Sequence, residues 1–231
     1  MKVVFKMSKI EIVAKRRTTA LYHGVEARIA LPASVRVASG GTNGTMNDNM
    51  NFYLGLADIV EAGIYYYAEH GGEKNVWKVF VNANHLFSGG RWDNETLPSD
   101  IAGKEVYYRL LNLGGGSCRF IVDIPGQSGG SFYDKTFTGV PHLGETTFVK
   151  QVFGFGESSD TMSSSHSRAT FKNVAIRTNK TGSTKAWTTE GIFEKGKWVY
   201  GQGLLPDPQA ERYNFWSKAP IDASLDRREG Y

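Results

Sequence analysis

An all-β sandwich or barrel is the fold this sequence predicts, and three observations carry the prediction. Short β-rich segments recur over residues 1–177, glycine-rich turn signals separate them, and hardly any stretch has a helical period. The composition agrees: 27 glycines serve many turns, while 11 tyrosines, 13 phenylalanines and 5 tryptophans suit pleated, half-buried surfaces.

Taken in order, the predicted strands cover residues 3–14, 27–37, 51–56, 59–67, 76–81, 105–112, 118–124, 131–137, 146–155 and 168–177. The first alternates apolar residues with Lys6, Lys9 and Glu11, so it reads as a strand and not as the apolar core of a secretion signal. Turn signals fall at GGTNGT (40–45), HGGEK (70–74), SGGRWDN (88–94), LGGGS (113–117) and PGQSGG (125–130). After Arg177 the pattern changes. TNKTGSTK at 178–185 reads as a linker, and residues 186–231 carry Pro206, Pro208 and Pro220 among aromatics with no core period. The expected organisation is a sandwich over 1–177 followed by an irregular extension over 178–231. That extension is expected to pack on the sandwich or on a neighbouring subunit, as the contact of a homo-oligomer or larger assembly.

At 231 residues the chain is long enough for one large β domain, and no run of about 18 apolar residues predicts a membrane-spanning helix. Cys118 stands alone, so no intrachain disulfide is expected; with no signal peptide read in residues 1–17, synthesis in the cytoplasm is the expectation, export by another route staying open. The net charge of +4 is modest. Its clusters, Lys15-Arg16-Arg17 and Arg227-Arg228, read as solvated faces, and nucleic-acid binding is not expected. The histidines lack paired spacing, so neither a metal nor another cofactor is expected. TNGTMNDN at 42–49 offers calcium-like oxygens without a calcium-loop spacing and reads as a connector. Ser117 lacks the Gly-x-Ser-x-Gly context of a nucleophile elbow.

The segment FYLGLADIVEAGIYYY (52–67) places one carboxylate, Glu61, in an otherwise apolar and aromatic strand. A charge there is paired, solvated or kept for chemistry. Alternation puts Ile59, Glu61, Gly63, Tyr65 and Tyr67 on one face and Val60, Ala62, Ile64 and Tyr66 on the other, the second set suiting an inter-sheet core. Three readings of Glu61 follow: a cross-strand pair with Lys78 or Lys150, part of a binding groove, or a catalytic group. Aromatics with a polar rim are what a glycan site needs, because sugar faces stack on rings while amides and carboxylates take the hydroxyls. Tyr65, Tyr67, Trp77, Trp92, Asp93 and Asn94 are the candidate ligand-binding residues.

YLGL (53–56), IVEAGI (59–64), WKVFVN (77–82), FVKQVF (148–153) and TFKN (170–173) together resemble concanavalin-A-like jelly rolls, most closely the glutamic peptidases, or eqolisins. YLGL resembles that family's Trp-x-Gly-Ile, IVEAGI its Leu-Gln-x-Gly, FVKQVF its Trp-Ile-Val-Glu-x-Phe and TFKN its Thr-Phe-Thr-Asn. The resemblance implies a jelly-roll sandwich and a glutamine–glutamate pair that activates a water for peptide hydrolysis. Here the two types stand exchanged: Glu61 falls at the glutamine's position and Gln151 at the glutamate's. The expected function is a non-enzymatic structural or adhesive module, such as a virion or appendage surface protein, contacting glycans through an aromatic face. The alternatives are a hydrolase using Glu61 and Gln151, or a free-standing lectin-like protein.

Overall fold

The computed structural model describes residues 10–36, 49–70, 73–83, 91–157, 165–188, 190–199, 202–206, 214–216 and 222–225. Of the expected connector at 42–49, residues 42–48 lie outside them, as does His85, and Asn49 opens a strand.

Within the described residues the chain is a sandwich of two antiparallel sheets and has no helix, hence none long and apolar enough to cross a membrane. The strands are β1 (Ile10–Arg17), β2 (Gly24–Ala30), β3 (Val35–Arg36), β4 (Asn49–Leu56), β5 (Val60–His70), β6 (Glu73–Ala83), β7 (Arg91–Thr96), β8 (Glu105–Gly114) and β9 (Ser117–Asp123). There follow β10 (Tyr133–Phe137), β11 (Val149–Glu157), β12 (Ser165–Arg177), β13 (Thr184–Ala186), β14 (Ile192–Val199), β15 (Gly203–Leu205), β16 (Asn214–Trp216) and β17 (Asp222–Leu225). An eight-stranded sheet runs β15-β14-β1-β11-β4-β5-β6-β7. A nine-stranded sheet runs β10-β9-β8-β2-β12-β17-β16, with β3 and β13 also paired to β12.

Period-two alternation builds the core between the sheets. The eight-stranded sheet contributes Phe52, Leu54, Val60, Ala62, Ile64, Val79, Val81, Val149 and Phe153; the other contributes Val25, Ala27, Ile29, Tyr108, Phe120, Val122, Phe171 and Ile176. β12 keeps its apolar residues inward only because it changes parity midway. Its pairing with β2 shifts between Lys172 and Ala175, and Asn173 takes a left-handed backbone (φ 50°). Phe171 before the shift and Val174 after it therefore both reach the core. Asparagine is one of the few L-residues that tolerates this bulge conformation.

The segment after Arg177, expected to be irregular, contributes strands to both sheets. β14 pairs with β1 and β17 with β12, so these strands hydrogen-bond to the sandwich of their own chain. A polar clamp fixes the approach. The Arg16 guanidinium donates to the carbonyls of Glu190 and Trp187 and lies 4.6 Å over the Trp187 ring. The Glu190 carboxylate accepts from Tyr22 Oη at 2.6 Å and from Lys185 Nζ at 3.1 Å. The Tyr22 hydrogen bond leads in holding the Glu190 carboxyl below its ordinary pKa; burial opposes it and Lys185 assists. The basic cluster is thus no solvated patch: Arg16 is buried in this clamp, and Lys15 and Arg17 both pair with Glu194.

Candidate functional site

Strand register arranges the outer face of the eight-stranded sheet, the face turned away from the core, into cross-strand rows. One row reads Arg17, Lys150, Gly55, Glu61, Asn82, Trp92 from β1 to β7. The next reads Lys15, Val152, Tyr53, Gly63, Phe80, Asn94, and a third reads Val13, Gly154, Asn51, Tyr65, Lys78, Thr96.

In the first row Glu61 is paired. Lys150 Nζ donates to Glu61 Oε1 at 2.7 Å and to Asp58 Oδ1 at 2.9 Å, and it sits 5.7 Å over the Tyr53 ring. Gly55 makes this possible, because a Cβ there would lie 2.4 Å from Lys150 Cε and 2.6 Å from its Cγ. The lysine stem crosses the strand where only hydrogen leaves room. Asp58 reaches the ammonium from the β4–β5 turn, in which Ala57 holds a left-handed backbone (φ 51°) and donates to the Phe148 carbonyl at 2.9 Å. Lys150 is only 4% exposed. Burial works against its charge, yet Glu61 and then Asp58 outweigh burial and hold its pKa above the ordinary 10.5. The reading of Glu61 as a cross-strand ion pair is met with Lys150, in a buried setting and with a second carboxylate that its place in a turn had concealed.

Gln151 is elsewhere. It alternates with Lys150, shares the parity of Val149 and Phe153, and points to the core side of the sheet, fully buried. Among the described residues, neither atom of its amide has a hydrogen-bond partner. Glu61 and Gln151 therefore lie on opposite sides of one sheet and cannot hold a common water. The exchanged pair is corrected: Lys150, one residue earlier, is what stands across from Glu61.

The aromatic candidates divide the same way. Tyr65 and Tyr67 lie on the outer face, stacked at 5.1 Å, and Phe80 joins them with Tyr53 alongside. Trp92 completes the cluster, its ring 5.6 Å from Phe80 at 17° and 6.0 Å from Tyr65 at 60°. Trp77 belongs to the opposite face. Its register partner is Tyr66, and it packs against Tyr66 and Phe52 in the inter-sheet core. Asn94 alternates onto the outer face beside Trp92, whereas Asp93 turns inward opposite Val81. Asp93 instead bridges the sheets at their margin, accepting from Tyr133 Oη at 2.6 Å and Lys135 Nζ at 2.7 Å. Burial resists its charge, but these two partners hold its pKa below the ordinary 3.8.

Phe80 and Asn82 belong to this face and were not among the sequence candidates; the signal for them was their shared parity with Lys78 in WKVFVN. Three glycines of this face are covered by side chains of the same chain. Lys150 lies over Gly55, Tyr53 over Gly63 and Asn51 over Gly154. Among the described residues no three His, Cys, Asp or Glu side chains come together as a metal site would need.

No protein-family profile matches the chain, and no curated protein does. Solved structures do. The chain is similar to scytalido-glutamic peptidase in complex with a peptide-based transition-state analogue, at 10% identity, covering 95% of this chain and 100% of that one with a TM-score of 0.60. It is also similar to SCP-B, a member of the eqolisin family of peptidases, in complex with the tripeptide Ala-Ile-His, at 10% identity, 95% and 99% coverage and a TM-score of 0.54. At such identity the likeness is one of fold: along nearly its whole length the chain is a jelly-roll β-sandwich of the kind the glutamic peptidases have.

Proposed function

We propose that the chain is a non-enzymatic adhesive module that contacts glycans with the outer face of its eight-stranded sheet. The observation that carries this reading is the Trp92 indole, 45% exposed, backed by Phe80 and flanked on the same face by Asn82 and Asn94. A rigid ring beside amides suits a sugar, since the ring covers the C–H face and the amides take hydroxyl hydrogen bonds. The setting proposed is a surface assembly such as a virion or appendage. The sheet margins support association there, because among the described strands β15, β7, β10 and β16 end the sheets.

The peptidase fold favours a second reading, hydrolysis, and the residues of this chain speak against it. A general base needs a carboxylate within reach of the water it activates. Glu61 is held by the buried Lys150 ammonium, and Gln151 points through to the core. Paired carboxylates of a glycosidase require one to stay protonated as the acid, and a shared lysine cation favours the ionised form of both Asp58 and Glu61.

Two assays on the purified chain test the proposal. A glycan array should give saccharide-dependent binding that Trp92→Ala abolishes. Peptide and glycoside hydrolysis from acidic to neutral pH should stay at background. Turnover that disappears in Glu61→Gln would establish the hydrolase reading instead.

A further inference from the structure

The exposure of the outer-face aromatics is uneven, and this sets what kind of glycan can fit. Tyr65 is 5% exposed, Phe80 6% and Tyr67 fully buried, against 45% for Trp92. Tyr65 meets Trp92 at 60°, so the cluster does not present successive coplanar platforms. One face of Tyr53 lies under the Lys150 ammonium, and Phe80 supports the indole from beside it. A long glycan strand lying across a sheet needs repeated stacking surfaces along its path, and among the described residues the ring cluster of β4 to β7 supplies one, at the β7 margin.

The polar neighbours narrow the choice further. Asn82 stands directly opposite Trp92, and Asn94 follows it by two residues on the same face. Both are amides, able to donate and accept toward neutral hydroxyls. One step further along the row come Glu61 and then Lys150, where two carboxylates share a single ammonium. That group carries a net negative charge, which repels acidic sugars.

We infer that the Trp92 site takes one pyranose ring, the terminal residue of a neutral glycan, stacked on the indole and hydrogen-bonded by Asn82 and Asn94. The inference rests on the glycan-contacting reading above and specifies its ligand. Solution calorimetry on the full chain tests it with methyl glycosides of glucose, galactose, mannose and N-acetylglucosamine, each against the tetrasaccharide ending in that sugar, and with lactose against its sialylated form. The tetrasaccharide should bind within about threefold of the best monosaccharide, and sialylation should weaken binding by about tenfold or more. Trp92→Ala should lose about tenfold or more, while Trp92→Phe recovers part of it. A tetrasaccharide more than about tenfold tighter than its monosaccharide, or a preference for the sialylated ligand, overturns the single neutral ring and leaves the glycan reading standing. No binding to any saccharide overturns both.

Discussion

The two outer faces of this sandwich are built on opposite principles. On the nine-stranded sheet the outward positions of β2, β8, β9 and β12 carry alternating charges. Arg109 pairs with Asp123 at 2.8 Å, Arg28 and Lys172 with Glu105, and Arg177 with Glu26 at 4.0 Å. Tyr107 sits among them between Arg28 and Arg109, its pKa raised to about 12 by burial first and by Glu26 next. On the eight-stranded sheet the outward positions hold a ring cluster, an exposed indole and two buried lysines, Lys78 and Lys150, the second between two carboxylates. Pairs of the first kind, most of them partly exposed, contribute modestly to stability and keep a sheet face in contact with water. A buried lysine with satisfied partners is costly to disturb, and a ring left uncovered on the same face marks a surface with work to do. The difference teaches where to look for a ligand on a fold that hosts several functions.

The largest effect expected is at Lys150. Lys150→Ala should lower stability by about 3 kcal/mol, the lower end for a broken buried pair because Asp58 remains half in water. Urea unfolding measures this. The double change Lys150→Met with Glu61→Leu should recover most of the loss, since the apolar replacement leaves only Asp58 without its partner, and Asp58 is half in water. Gly63→Ala tests the same face from below. Its Cβ would lie 2.2 Å from the Phe52 carbonyl oxygen and 2.5 Å from Tyr53 Cα, so strands must part, with a loss of about 1–3 kcal/mol in the same assay.

The sheet margin should give a pH signature of intermediate size. The Asp93 carboxyl is depressed in the folded chain, so its contribution is present above the ordinary 3.8 and is lost as pH falls through the lower, folded value. Unfolding midpoints should therefore drop on acidification below about pH 4, and Asp93→Asn should flatten that part of the curve. Lys150 has the reverse sign: its raised pKa means stability present below 10.5 that disappears as pH climbs through the folded value. The smallest effect belongs to the charged face, where Asp123→Asn should change stability by less than about 1 kcal/mol and fade further in salt.

Much of this was legible in the sequence, and what was not has physical reasons. Alternation over 59–67 assigned Glu61, Tyr65 and Tyr67 to the outer face and Val60, Ala62, Ile64 and Tyr66 to the core, as the structure has them. The parity of the next strand depends on the hairpin between β5 and β6, which the sequence does not fix. Trp77 is therefore expected on the outer face from sequence, whereas its pairing with Tyr66 places it in the core. In FVKQVF both parities are apolar apart from the adjacent Lys150 and Gln151, so alternation could not tell which polar residue faces outward. β7 was hidden in what read as a turn, and with it the inward direction of Asp93. The last strands were masked by prolines and linker-like composition, although their pairing with β1 and β12 completes both sheets.

On this reading one outer face of the sandwich binds a glycan and the other meets only water. Amide chemical-shift mapping of the labelled chain, titrated with the saccharide that scores highest on the array, tests it most directly. Shifts are expected to concentrate at Asn82, Trp92 and Asn94, with the Glu26–Tyr107–Arg109 surface unmoved. Shifts centred on that charged surface, or on the clamp around Glu190, would contradict it.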